Sequence, residues 1–411
     1  MTGTMGISID RMQKIRHKFS DPRVALIHYW YFRRRGGERV FDVIAGMFPQ
    51  ADVFMILCDR RALDPELSLH KITTSGLNHL PFVKRYYRAL LPFFPYALEQ
   101  FDLSHYDLVI SHEAGPAKGV LTRTDAQHVC YCHTPMRYLW DMYHHYLASA
   151  PLGAAGRFFY RLSCHSARKW DYLASARVDH FIASSQNAAR RIRKYYRRDS
   201  HVIYPPVDLQ RFRLSNDPVA DFYLVVSPLV SYKRVDLAIK ACNELRRNLV
   251  IIGQGECQTS LRKSAGPTIK FLGFQPDHVV EEHYRSCRAL LFPGEEDIGL
   301  TPVEAQASGR PVIAYARGGA LETVLGVHPS DVTSPHRHTG IFFDEQSCDS
   351  LCDAILAFES VQSDFSPSFI RRHAQNFDRE HFKNSFAGFI DSRLANRLTI
   401  AARKSVPVPA D

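Results

Sequence analysis

The sequence predicts an α/β protein of two parallel, doubly wound domains. Three observations lead there. Short β-branched and apolar runs alternate with amphipathic helical stretches from residue 22 to about 378. The alternation halts at Pro205-Pro206 and then begins again. A length of 411 residues suits two large domains.

Composition narrows the class. A hydrophobic content of 45% and a charged content of 23% are those of a globular chain. The nine cysteines are scattered and odd in number, which reads as reduced thiols. Cys130-x-Cys132-His133 falls inside a predicted buried strand and reads as core, with no second Cys/His cluster at ligand spacing. Residues 1–20 carry charges throughout and lack the apolar segment of a signal peptide. No run reaches the roughly 18–20 apolar residues of a spanning helix. A net charge of +10 calls for an anionic partner: nucleic acid, anionic lipid or a phosphate-bearing substrate.

The elements follow in order. Residues 1–21 read as a poorly ordered leader, and the first domain runs from 22 to 205. Val24–Tyr29 begins its first strand; an arginine-rich loop with Gly36-Gly37 follows, then a helix over Val40–Phe48. Strand, glycine loop and helix form a phosphate-loop arrangement, although a glycine pair alone is weak support. Further strands fall near 53–57, 71–74, 107–111 and 127–132. Between them, residues 79–98 hold Lys84, Arg85 and Arg88 among aromatics and leucines, with no acid. That mixture suits an anionic membrane interface, and equally an amphipathic helix packed on its own domain. The strand at 127–132 leads into His133-Thr-Pro-Met-Arg137-Tyr-Leu-Trp140-Asp141, a polar cluster where α/β folds place sites. A long helix over 157–177, a strand near 178–185 and a helix over 186–198 complete the domain. Six basic residues on the last helix suggest a second face toward anionic lipid through 190–198, or a solvated one; no nucleic-acid motif accompanies them, so no nucleic-acid partner is expected.

The second domain, 206–378, repeats the pattern. Strands are predicted at 222–227, 248–253, 269–273 and 289–292, and helices at 235–245 and 277–286. Helices near 366–375 and 379–394 close the chain, with residues 379–402 packing back across the domains and 403–411 a disordered tail. The loop Gly294-Glu-Glu296-Asp-Ile298-Gly299-Leu300 carries two glycines and three carboxylates. Thr301 and Glu304 then fit a capping box with Pro302 as first helical residue, so Glu304 is expected in the first turn. Seven residues separate Glu296 from Glu304, which lets both face one cleft. Carboxylates suit sugar and ribose hydroxyls and a helix start suits a diphosphate, which together describe a nucleotide-sugar site.

The stretch Phe292–Val324 resembles the E-x7-E segment of family-4 retaining glycosyltransferases of the GT-B fold. Glu296, Gly299, Leu300, Glu304, Ala305, Ala307, Gly309 and Pro311-Val-Ile-Ala314 stand in register, with Ile298 where phenylalanine is usual. "HTPMRYLWD" is similar to a block of the bacterial exopolysaccharide and O-antigen branch, several of whose members are mannosyltransferases. The resemblance implies two Rossmann-like domains facing across a cleft. It implies that Gly36 and Gly37 approach the diphosphate and the transferred sugar, and that His133 contacts that sugar, with Arg137 and Asp141 as further candidates. Lys233 matches the lysine that neutralises the diphosphate. The usual arginine is replaced by Pro228, so Arg234 compensates only if it turns inward. Glu304 is assigned to the ribose, and Glu296 with the Ile298-Gly299-Leu300 backbone to the donor sugar or phosphate. His133, Glu296 and Lys233 are the catalytic candidates.

The function expected is sugar transfer with retention, first from GDP-mannose, to a lipid-linked saccharide. The place expected is the cytoplasmic face of a bacterial plasma membrane, in surface polysaccharide synthesis. A UDP-sugar enzyme or a sugar-nucleotide epimerase of the same fold is the alternative. No Asp-x-Asp motif is present, so neither metal nor cofactor is expected.

Overall fold

In the computed structural model, which describes residues 22–150, 152–214, 218–332 and 337–404, the chain divides into two units. The expected leader and the last residues of the expected tail lie outside the described residues. Among the described residues, the first unit takes those up to Ser184, Ala188–Ile203 and those from Phe382; the second takes Ser185–Asn187 and those of Tyr204–His381.

The first unit is a seven-stranded sheet in the order β3-β2-β1-β4-β5-β6-β7. Its strands are β1 Val24–Tyr31, β2 Asp52–Cys58, β3 Ile72–Thr74, β4 Leu108–Glu113, β5 Gln127–Cys132, β6 His180–Ala183 and β7 Ser200–Val202. Every pairing is parallel. β1 shows why the sheet needs cover on both faces: Val24 and Leu26 enter one apolar cluster, Ala25 and Ile27 another. The helix Gly36–Met47 covers the first face with Val40, Phe41, Val43 and Ile44. Phe382, Phe386, Phe389 and Ile390 of the helix Arg379–Lys404 join that same cluster, at the spacing of one helical face.

Residues 79–98 do not form one amphipathic helix. The stretch, with Pro81, Pro92 and Pro95 in it, forms short turns instead: Gly76–His79, Val83–Tyr86, Tyr87–Phe93 and Phe94–Glu99. A proline removes a helix hydrogen bond and its ring clashes with the preceding turn. The pieces bury Val83, Phe94, Ala97 and Leu98 and leave Phe82, at 84%, and Tyr96 exposed.

The second unit repeats the winding with the order β10-β9-β8-β11-β12-β14-β13. The strands are β8 Tyr223–Val226, β9 Leu249–Ile252, β10 Ile269–Gly273, β11 Leu290–Phe292, β12 Val312–Tyr315, β13 Gly326–Val327 and β14 Gly340–Phe343. β12 alternates in the same way, Val312 and Ala314 to one cluster and Ile313 and Tyr315 to the other. In both units the order reverses beside the first strand. That switch point is where loops at the carboxyl ends leave a crevice. Among the described residues, no helix is long and apolar enough to cross a membrane.

Candidate functional site

In the second unit the loops after β8 and β11 meet. β8 runs into Ser231–Lys233, a single 3₁₀ turn. β11 delivers Gly294–Leu300. A Cβ on Gly294 would stand 2.9 Å from the Lys233 Cα, so the two backbones are in direct contact. Lys233 Nζ pairs with Glu296 Oε1, and both side chains are largely shielded from solvent. The expected lysine and the expected loop glutamate are thus joined as one ion pair.

The glutamate loop is fixed from behind by Gly318-Gly319. Gly318 adopts a φ of +65°, and a Cβ there would lie 2.3 Å from the Glu296 carbonyl oxygen. The Gly319 amide donates to that same oxygen at 2.7 Å. Only glycine permits both the left-handed backbone and the close approach.

The helix after the loop starts earlier than the capping-box reading places it. It spans Leu300–Ala307 with Gly299 as N-cap, at φ +74° and ψ +93°, and no side chain caps it. Gly299 reverses the chain before Thr301 can, because its backbone enters a region closed to threonine. Pro302 then falls at the third helical position, where its missing N–H costs nothing. Glu304 moves to the second turn, where its Oε2 accepts the Tyr284 hydroxyl at 2.8 Å. Burial and the adjacent Glu304 push the Tyr284 phenol well above its ordinary range, so it stays a donor.

Arg234 does turn toward a partner, but the partner is Asp236. Nε and one terminal nitrogen lie 3.2 and 3.4 Å from its carboxylate. Arg234 itself sits at φ +51°, an uncommon conformation for a non-glycine residue, between the lysine turn and the helix Val235–Glu244.

The first unit builds a different arrangement. β1, β4 and the end of β5 are adjacent, and their parallel register sets His28 beside His112. His112 Nε2 lies 2.8 Å from His133 Nε2, and His112 Nδ1 lies 3.2 Å from His28 Nδ1. His28 Nδ1 also lies 3.2 Å from the His112 carbonyl oxygen, which only accepts, so the His28 proton is on Nδ1. His112 Nδ1 is then an acceptor, its proton sits on Nε2, and His133 Nε2 receives it. The His133 proton is left on Nδ1. Burial holds all three rings neutral: it lowers His28 and His133 to about 4, and His112 well below its ordinary value. His28 stacks on Phe41 at 4.7 Å and His112 on Tyr131 at 5.7 Å. A Cβ on Gly37 would sit 3.9 Å from His133 Nε2, ordinary contact, so packing does not demand glycine there. Gly36 opens the helix. Arg35 is its N-cap residue, and its backbone N–H donates to Glu38 at 3.2 Å.

Arg137 lies 3.4 Å and Arg191 3.2 Å from the Asp141 carboxylate. Arg198 donates to the carbonyls of Ser175, Val178 and Asp179. Two of the six cations at 190–198 are therefore structural, while Arg190, Arg193, Lys194 and Arg197 are exposed.

Sequence reading missed His28 and His112, which lie within the apolar strands β1 and β4, whereas His133 follows β5. It missed Tyr284, which stands 20 residues before its glutamate. It also missed one cysteine group. Glu244, Cys348 and Cys352 each bring a ligand atom within 4.8 Å of the others, with Cys348 Sγ 3.4 Å from Glu244 Oε2. Burial pushes the Cys352 thiol up to about 12.

Comparison with known proteins completes the picture. Residues 34–211 match the family model described as Glycosyltransferase Family 4, and residues 207–373 match Glycosyl transferases group 1. The chain is similar to the GDP-mannose-dependent alpha-(1-6)-phosphatidylinositol monomannoside mannosyltransferase of Mycobacterium tuberculosis (strain CDC 1551 / Oshkosh). Identity is 30% over 164 residues, 36% of this chain and 39% of that protein. It is similar to the O-antigen chain mannosyltransferase C of Escherichia coli, 23% identical over 245 residues, 55% of this chain and 63% of that one. The matches thus span from about two fifths to under two thirds of these curated relatives. Among solved structures, Anabaena Alr3699/HepE in complex with UDP and glucose superposes with a TM-score of 0.65 at 16% identity, covering 90% of this chain and 100% of that one. Sucrose-phosphate synthase from Thermosynechococcus elongatus gives 0.65 at 16% identity, covering 91% and 100%. At that identity the likeness establishes the fold.

Proposed function

We propose, from the premise that this chain belongs to the family-4 glycosyltransferases of GT-B fold, that it transfers a sugar from a nucleoside diphosphate to an acceptor hydroxyl with retention. The carrying observation is the Lys233–Glu296 pair, held at the carboxyl ends of β8 and β11 by Gly318-Gly319. Lys233 is assigned to the leaving diphosphate, whose charge grows as the glycosidic bond breaks. Glu296 and the Ile298-Gly299-Leu300 backbone are assigned to the donor sugar or phosphate, and Glu304, oriented by Tyr284, to the ribose. Arg234 has a lesser part, since Asp236 already holds it. In the first unit, Gly36 and Gly37 are assigned to phosphate, and His133 to a sugar hydroxyl through Nδ1–H.

Two enzyme carboxylates flanking the bond would suggest a double displacement. Here Glu296 is tied to a lysine and Glu304 to a phenol, so neither is a ready nucleophile. The reading is a same-face displacement. The anomeric carbon loses the phosphate oxygen and gains the acceptor oxygen, and the acceptor proton passes to the leaving phosphate. No metal enters this scheme.

The donor proposed first is GDP-mannose, supported by the two mannosyltransferase relatives, with UDP-sugars as the alternative that the UDP-bound neighbour supports. The acceptor proposed is a lipid-linked saccharide at an anionic membrane surface, the cytoplasmic leaflet of a bacterial plasma membrane. Exposed Phe82, Phe93 and Tyr96 beside Lys84, Arg85 and Arg88 support it. So does the helix Ala154–Ser175, which exposes Phe158, Phe159, Leu162 and Leu173 with Arg157, Arg161 and Lys169 and no acid.

A donor screen with bacterial lipid extract tests the whole. Labelled mannose from GDP-mannose, and not glucose from UDP-glucose, is expected in the lipid fraction, undiminished by chelator. Transfer from UDP-glucose alone would overturn the donor. Free sugar with no lipid product would point to an epimerase, and rescue by manganese after chelation would require a metal.

A further inference from the structure

The segment after "HTPMRYLWD" has no part in the scheme above, yet it frames a cavity of 320 Å³ lined by Leu139, Trp140, Tyr143, His144, Arg168 and Tyr195. That size is at the lower end of small-molecule pockets, about 300–1,000 Å³. Four parts of the first unit supply the walls: the loop after β5 and the helices Tyr143–Ser149, Ala154–Ser175 and Gln186–Tyr196.

The walls are rigid. Trp140 stacks on Tyr195 with ring centres 4.8 Å apart, and its Nε1 donates to Asp171 at 2.7 Å. Asp171 is itself buried against Lys118 Nζ at 2.5 Å and accepts the Tyr196 hydroxyl at 2.9 Å. Arg168 is fixed at its base, since Nε donates to the Leu139 carbonyl at 2.8 Å. Its guanidinium lies 5.0 Å over the Tyr143 ring and 5.9 Å over that of Trp140. Among the described residues its two terminal nitrogens make no hydrogen bond or ion pair. The lining includes no carboxylate, and the exposed His144 is part of it.

A guanidinium set against aromatic rings, with the four N–H donors of its terminal nitrogens uncommitted, is built to receive a planar or tetrahedral anion. The rings around it are engaged with one another and with the guanidinium, so the anion is the recognised feature and the sugar fills the remaining volume. We infer that this cavity binds one sugar residue carrying a single anionic group, a uronate carboxylate or a sugar phosphate. The inference rests on the glycosyltransferase reading for its biological sense, because it names the chemical class of a saccharide unit that the acceptor presents.

Isothermal titration calorimetry on the full chain, with no nucleotide sugar present, tests it. Glucuronate, glucose 1-phosphate and glucose are the probes. At least one charged probe is expected to bind tenfold or more tighter than glucose, and the tighter of the two identifies carboxylate or phosphate. Arg168→Gln is expected to remove that preference, and Arg168→Lys to restore only part of it because the fork is lost. Equal binding of charged and neutral probes overturns the inference, as does an Arg168→Gln protein with a native melting curve and unchanged affinity. Should Arg168→Gln not fold, Tyr143→Ala takes its place: a tenfold loss supports the site and retained affinity overturns it. Binding of the charged probe by a protein that transfers no sugar leaves this inference standing and removes the transfer reading.

Discussion

The two units share one winding and treat charge in opposite ways. Each sheet runs third, second, first, fourth and fifth strand before the orders part at the edge, 6-7 in one unit and 14-13 in the other. In the first unit β1 and β4 carry His28 and His112, both buried, and His133 follows β5 half-buried; all three are neutral. In the second the strand ends lead to Lys233 and Glu296, joined as an ion pair. The first unit exposes clustered aromatics and leucines, Phe159 at 65% and Leu173 at 63% among them; the second exposes isolated ones such as Phe274. Topology therefore fixes where a site can lie, and the side chains at the strand ends fix what chemistry is done there.

The sharpest way to break the contrast is to put an unpaired charge inside the unit that avoids them. Lys118 and Asp171 form its one fully buried ion pair among the described residues, both side chains 0% exposed. Asp171→Ala leaves the lysine buried without a counter-charge, and releases Trp140 and Tyr196 as well. The expected destabilisation is about 3–5 kcal/mol, the range for breaking a buried pair from one side. Urea unfolding measures it. A loss under about 1 kcal/mol would mean that water reaches the pair, contrary to its burial.

In the second unit the charged pair is the machinery, so its loss should cost activity and spare the fold. Removing the Lys233 cation with Lys233→Ala is expected to lower kcat by about 10²–10³-fold, as for other single stabilisers of a developing anion. The melting temperature should stay within a few degrees, because Gly294 packs on the Lys233 backbone, which the substitution keeps. Full activity with either Lys233→Ala or Glu304→Ala would sink the site assignment.

How much of this was legible depended on the range of the interaction. β1, β5 and β10 could be read because period and β-branched content act within a few residues. The Lys233–Glu296 pairing was reachable only through the family resemblance, since 62 residues separate the two positions. The capping box failed because a glycine two residues upstream offered a better stop than Thr301. A single proline-rich stretch misled for a related reason: residues 79–98 have helical composition, and three prolines forbid one helix. The histidine chain lay beyond sequence reading altogether. Each histidine alone is an unremarkable residue in or just after an apolar strand, and only the parallel register of β1 and β4 makes two of them neighbours.

That register also gives the smallest and most specific effect. His112 is neutral in the folded unit because burial lowers it well below its ordinary value, whereas in the unfolded chain it titrates near 6.5. Below about pH 6.5 the unfolded state therefore binds a proton that the folded state does not. Stability contributed by this group is complete above that pH and is lost as pH falls toward the folded value, at up to about 1.4 kcal/mol per pH unit. His112→Phe retains a ring against Tyr131 and removes the proton site. Between pH 6.5 and 5 the variant should lose stability less steeply than the parent, by about that slope, with the histidines that do not touch His112 cancelling in the difference. Parallel curves in chemical unfolding at each pH would show that His112 is protonated in the folded protein, and the neutral relay assigned to His28, His112 and His133 would fall with it.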